Sequence, residues 1–340
     1  PSVPRAPDPA GGPAAFPVRR LRRLRRTPAL RRLVAEARLS VDDLVAPLFV
    51  AEGLSEARAI TSLPGQFQHT VDSLRKEVEE LLRVGVGGVI LFGVPATKDE
   101  LGSSAWDPEG IAQVALRALR DDYGDELVLI ADLCLDEYTS HGHCGVLRND
   151  GTVDNDATLE LYGRIALAQV NAGASIVAPS GMMDGQVGAI RGALDGAGLD
   201  ETIILAYAAK YASGLYGPFR DAVDVEIVNG GDRKGYQQDY RNRREALREA
   251  RADVEQGADI VMVKPAMTYL DVLSDLRREL DVPLCAYHVS GEYAMVKAAA
   301  AKGWIDGDAV ALEQLTAVRR AGADFILTYF AREIATELSR

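Results

Sequence analysis

After residue 40 the chain alternates between short unbroken apolar runs and longer stretches in which apolar residues recur every three or four positions. Eight such runs are LVAPLFV (44–50), GGVILFGV (87–94), LVLIADLCL (127–135), SIVAPS (175–180), TIILAYAA (202–209), DIVMVKP (259–265), PLCAYHVS (283–290) and DFILTYF (324–330). None alternates polar with apolar, which predicts strands covered on both faces. The intervening segments read as amphipathic helices. TVDSLRKEVEELLRVG opens on Thr70, carries its acids early and ends at glycine, as helix starts and stops do. DATLELYGRIALAQVNAG, QDYRNRREALREARADVEQGAD and DAVALEQLTAVRRAGAD follow the same grammar.

Strand–helix alternation repeated eight times, with no second zone of composition, predicts an α/β fold, a (β/α)8 TIM barrel over residues 41–340. An open doubly wound sheet is the alternative. The absence of G-x-G-x-x-G after the first run and of G-x-x-x-x-G-K-[ST] weakens its nucleotide-binding versions. Residues 1–17 are rich in Pro, Ala and Gly, and a disordered tail is expected there. Residues 18–40 are expected to form a separate N-terminal arm.

Charge sharpens the division. The net charge is −12, yet residues 19–32 hold eight Arg and no acid, which leaves −20 (−12 less 8) on the remainder. That run could grip nucleic acid, or lie on acidic surface of its own or a neighbouring subunit; the second fits the overall charge. Three cysteines make no secreted disulfide framework. No run of eighteen apolar residues occurs, so a cytoplasmic enzyme without a membrane or nucleic-acid role is expected.

Barrel sites sit at the C-terminal ends of strands. Those ends carry Asp132 and Cys134, Ser180, Lys210, Lys264, Ser290, and Thr328 with Tyr329. The chain has 31 Arg and only 7 Lys, so a lysine at a strand end is a specific choice. An amine can lose its proton and attack a carbonyl, whereas a guanidinium cannot. Two lysines on successive strands point to Schiff-base chemistry on two carbonyl substrates, or else to a pair that binds phosphate or carboxylate. The glycine-containing stretch after Lys210, with Arg220, Arg233 and Lys234, reads as a lid that clamps an anion.

Five motifs then converge: CLDEYTSHGHCG, VAPSGMMDGQVGAIR, AYAAKYASGLYGPFRDA, MVKPAMTYLDV and YHVSGEYAM. Together they resemble the porphobilinogen synthase (5-aminolevulinate dehydratase) family over nearly the whole chain. The resemblance implies a barrel whose N-terminal arm wraps a neighbour in a homo-octamer, or in a hexamer. It implies condensation of two 5-aminolevulinate molecules to porphobilinogen, with loss of two waters, in tetrapyrrole (haem) biosynthesis.

Roles follow by motif. Lys264 would bind the first substrate as a Schiff base and Lys210 the second. Ser290 and Tyr329 would hold the first carboxylate; Arg220, Arg233 and Gln237 the second. Tyr216 and Phe219 would cover the site. Asp132 and Ser180 would contact the first substrate's amino group. Cys134, Asp136 and Cys144 form a mixed version of the family's active-site zinc set, and two thiolates favour zinc over magnesium. His141 and His143 would stand beside the metal as hydrogen-bonding neighbours, and Cys285 would pack in the core. Glu249 matches a glutamate that marks members with an activating magnesium away from the active site. Gly181 stands where many members have an acid. A class I aldolase on the same barrel is the competing enzyme, with only one essential lysine. A metal-binding oligomer whose arm touches nucleic acid is the non-catalytic alternative.

Overall fold

The computed structural model describes Phe16, residues 18–227 and residues 231–339. The expected tail 1–17 therefore lies, apart from Phe16, outside the described residues. The chain divides into two units, one ending at Arg38 and one beginning at Leu39, two residues short of the boundary expected from the sequence. In the first unit, Thr27 caps a short helix, α1 (Pro28–Leu33), by accepting from Leu30 N at 3.2 Å. Leu21, Leu24 and Leu33 of this unit are exposed.

In the second unit eight parallel strands close a barrel. They are β1 (Leu44–Ala51), β4 (Gly88–Val94), β5 (Val128–Leu133), β6 (Ile176–Pro179), β7 (Ile203–Lys210), β8 (Ile260–Lys264), β9 (Leu284–His288) and β10 (Phe325–Thr328). Each pairs with the next, and β10 returns to β1 through Leu44↔Ile326 and Val45↔Leu327. The two remaining strands, β2 (Arg58–Ala59) and β3 (Phe67–His69), form an antiparallel hairpin whose β3 runs parallel beside Phe49 and Val50 of β1. The open doubly wound alternative is excluded by this closure.

Parallel neighbours need crossovers, which the helices supply. In α2 (Val71–Arg83), Thr70 accepts from Ser73 N and Leu74, Val78 and Leu81 turn inward, the three- and four-residue spacing of one helix face. Asp154 and Asp306 cap α4 (Asn155–Asn171) and α10 (Gly307–Ala321) in the same way. One helix starts later than its sequence pattern suggests. Asp239 ties Arg241 into a turn, so α7 begins only at Arg244 and ends at Glu255.

Strand β7 breaks its own alternation. Its pairing with β8 runs Leu205↔Ile260 and Ala206↔Val261, then resumes at Ala209↔Val263 and Lys210↔Lys264. The bulge between Ala206 and Ala209 resets the two-residue phase, so that residues an odd number apart can share a face.

Candidate active site

Lys210 and Lys264 end adjacent strands and are directly paired in register. They are 4% and 5% exposed, and among the described residues neither forms an ion pair. Lys264 Nζ is ringed by the faces of Tyr287 (4.6 Å to the centroid), Tyr207 (5.1 Å), Phe219 (5.1 Å) and Tyr216 (5.2 Å). Burial, and then the charge of Lys210, lowers its pKa to about 7. A buried ammonium loses the hydration that favours its charge, and a second cation adds repulsion. Lys210 Nζ donates to Ser180 O at 2.5 Å.

Asp132, near the end of β5, faces both amines. Its Oδ2 accepts from Ser180 Oγ at 3.1 Å, while Oδ1 is buried without a partner. Burial raises this carboxyl to about 6, against the pull of both lysines.

The loop after β5 brings the two thiols together. Cys134 Sγ, Cys144 Sγ and a carboxylate oxygen of Asp136 all lie within 4.8 Å of one another and are buried. Four-coordinate zinc with ligands at about 2.0–2.3 Å needs donors some 3.3–3.8 Å apart, so a small contraction fits these residues to the ion. Two sulfurs and one carboxylate suit zinc in kind. The sulfurs are free thiols. Burial pushes the Cys134 thiol up; for Cys144 the Cys134 hydrogen bond and Arg233 outweigh burial and bring it down. Asp136 also pairs with Arg233 at 2.8 Å with both groups buried. Burial opposes ionisation of this carboxyl, but Arg233 and Lys210 hold it well below the usual range.

Tyr162 of α4 supports this loop. Its hydroxyl donates to Cys144 O at 2.7 Å and stands 3.8 Å from Cys134 Sγ. It also explains Gly181, where a Cβ would overlap the Tyr162 hydroxyl. The two histidines bond outward, His141 Nε2 to Glu100 O at 3.1 Å and His143 Nδ1 to Tyr236 Oη at 3.1 Å.

The carboxylate-clamp candidates fall into two groups. Ser290, first residue of α9 (Ser290–Ala301), accepts from Phe219 N at 3.0 Å, which ties helix α6 (Gly217–Ala222) beside Lys264. Tyr329 Oη lies 3.0 Å from Tyr287 Oη. Arg220, Arg233 and Gln237 line a cavity of about 830 Å³ with Tyr216. Arg233 Nε and Gln237 Nε2 are buried there without partners, two free donors suited to an anion. Tyr216 lines this cavity, and its ring centroid lies 5.2 Å from the Lys264 amine. Thr328 turns away, its hydroxyl 3.4 Å from His288 Nδ1. Cys285 is fully buried in β9. Glu249 is not brought to the lysines: it lines a different cavity with Asp184 and Glu245, and burial and then these acids raise its pKa.

Several residues of the site escape sequence reasoning. Tyr207 and Tyr287 touch Lys264 from within apolar strands, and the one available signal was a hydroxyl in a run that needs none. Glu137 is buried with both carboxylate oxygens unpartnered; burial, then Asp136 and Asp132, push its pKa up. Lys98 caps the C-terminal end of α6 by donating to Val223 O at 3.2 Å and Asp224 O at 2.8 Å.

Known proteins resemble this arrangement end to end. The family profile described as delta-aminolevulinic acid dehydratase matches residues 18–337. A delta-aminolevulinic acid dehydratase from Streptomyces coelicolor is 56% identical over 326 residues, covering 95% of this chain and 98% of that protein. One from Mycobacterium tuberculosis is 56% identical over 324 residues, covering 95% and 98%. A solved structure of delta-aminolevulinic acid dehydratase (porphobilinogen synthase) from Toxoplasma gondii, in complex with the reaction product porphobilinogen, superposes with a TM-score of 0.92 at 45% identity, covering 94% of this chain and 91% of that one.

Proposed function

The chain belongs to the delta-aminolevulinic acid dehydratase family, and from that premise we propose how its barrel mouth performs the family's reaction. The protein is a lyase that condenses two molecules of 5-aminolevulinate into porphobilinogen with loss of two waters. Lys264 captures the first substrate as a Schiff base and Lys210 the second. The paired, buried amines are the observation that carries this reading. Burial and the charge of Lys210 lower the Lys264 pKa to about 7, which makes free amine available at neutral pH to attack a keto carbon.

Each substrate is a keto acid with an amine, and each part has a receptor. Ser290 and Tyr329 take the first carboxylate. Arg220, Arg233 and Gln237 take the second, with the unpartnered donors at 233 and 237 in support. Asp132 and Ser180 receive the first amino group. Tyr216 and Phe219 exclude water from the Schiff base, which protects the imine from hydrolysis. Zinc held by Cys134, Asp136 and Cys144 would polarise the second substrate and supply hydroxide near neutral pH. Magnesium at Glu249, bound largely through water, would act from outside the active site. The arm at 18–40 joins the barrels of 41–340 into an octamer, with a hexamer as the other assembly. The enzyme works in the cytoplasm; among the described residues no helix is long and apolar enough to cross a membrane.

Borohydride reduction in the presence of 5-aminolevulinate tests this reading. Adducts are expected on the peptides carrying Lys264 and Lys210. Full activity with both lysines recovered unmodified would overturn it. An aldolase built on Lys264 alone would survive Lys210→Met, whereas this enzyme should lose porphobilinogen formation.

A further inference from the structure

We infer that Tyr207 is a further catalytic residue, a hydrogen-bond donor to the keto oxygen of the substrate captured between Lys210 and Lys264. The inference deepens the Schiff-base reading and rests on it. Tyr207 is fully buried in β7, and its hydroxyl makes no well-formed hydrogen bond to the protein. Its ring centroid lies 5.1 Å from Lys264 Nζ and 5.5 Å from Lys210 Nζ, so no other described ring touches both amines at this range. Its hydroxyl lies toward Asp132, whose Oδ1 is likewise buried without a well-formed hydrogen bond. A donor and an acceptor, neither in a well-formed hydrogen bond, thus sit together beside two amines. A buried polar atom without a partner is costly and is found where a ligand completes it.

The backbone supplies an independent observation. Residues 207 and 210 are three apart, and an unbroken strand would send them to opposite faces. The bulge between Ala206 and Ala209 resets the phase, and both side chains reach the amine pocket. Without a role in the pocket, a plain apolar residue at 207 would pack better and need no partner.

The group that fits such a pair is an oxygen that both accepts and donates, as a carbinolamine hydroxyl does. The lysine nitrogen adds to the keto carbon, and the C–O bond then breaks as C=N forms. The oxygen leaves as water with both amine hydrogens. Tyr207 donates to that oxygen while its negative charge grows and keeps its own proton throughout. Asp132 Oδ1 accepts from the same hydroxyl. One well-placed donor of this kind is worth on the order of a hundredfold in rate.

Tyr207→Phe removes the hydroxyl and keeps the ring. Because that hydroxyl makes no well-formed hydrogen bond to the protein, thermal unfolding should change little. The probe is levulinate, which keeps the keto acid and lacks the amine. Borohydride-trapped adduct on the Lys264 and Lys210 peptides is followed in time by mass spectrometry. The variant should form adduct at least tenfold more slowly at saturating levulinate, with the unfolding midpoint close to the wild type's. Adduct formation at the wild-type rate overturns the inference, whatever the midpoint does. Failure of the wild-type protein to form any adduct would instead sink the Schiff-base reading itself.

Discussion

Replacing Lys210 by Met should raise the pKa of Lys264, and the size of the effect can be bounded from the structure. The two Nζ atoms lie 5.5 and 5.1 Å from one ring centroid, so they are no more than about 10.6 Å apart. At an effective dielectric of about 20, two unit charges at that distance repel by at least ~1.6 kcal/mol. That is roughly one pH unit. Lys264 starts near 7, so removing the second cation should move it to about 8 or higher. Fewer neighbouring cations favour the ammonium, and less free amine remains at pH 7. The assay is the pH dependence of levulinate trapping on Lys264 alone, read between pH 6 and 9. The variant should trap several-fold more slowly at pH 7 and recover the wild-type rate above pH 9. Both amines are buried, so moderate salt should leave the shift in place. A midpoint within about 0.3 units of the wild type would refute the proposed coupling between the amines.

Other substitutions test the remaining parts. Lys264→Met removes an amine that folding holds far below its unfolded pKa of 10.5, so the variant should unfold later at pH 7 by on the order of 2–4 kcal/mol while losing all activity; unchanged stability by denaturant titration would contradict the burial argument. Gly181→Ala drives a Cβ into the Tyr162 hydroxyl, so the Cys144 carbonyl loses its anchor and zinc affinity should fall by about 10–100-fold, the usual cost of disturbing a ligand's support; chelator competition reads it, and wild-type affinity would refute it. Tyr162→Phe should lower zinc affinity in the same direction without the overlap. Arg233→Met leaves Asp136 as a buried carboxylate without its partner and should destabilise the metal-free protein by about 3–5 kcal/mol, largely restored by zinc. Chelation should abolish turnover, with zinc and not magnesium restoring it; recovery with magnesium alone would reassign the thiol site.

Much of the fold and of the chemistry was legible in the residues. Continuous apolar runs mark strands buried on both faces because a parallel sheet must be covered twice, and eight of them mark a closed barrel. Lys264 and Lys210 stood out because an arginine-rich chain used lysine at two strand ends. The stretch around Cys134 and Cys144 stood out because two of three cysteines fell within eleven positions, while the set Cys134, Asp136 and Cys144 was what the family resemblance implied. Glu249 shows the limit of such reading: its neighbours Asp184 and Glu245 come from an adjacent loop and its own helix, and only the folded chain shows that they line a cavity apart from the lysines.

The sequence by itself determined which elements form and which reactive groups stand at their ends, because both follow from local pattern and residue type. Only the tertiary structure decided the partners. Arg233 meets Asp136 across 97 positions of chain, Gly181 is required by a tyrosine from another element, and a shift of pairing within one strand turns Tyr207 toward the amines. Contacts of that kind depend on how the closed barrel sets distant segments against each other, and no short-range pattern carries them.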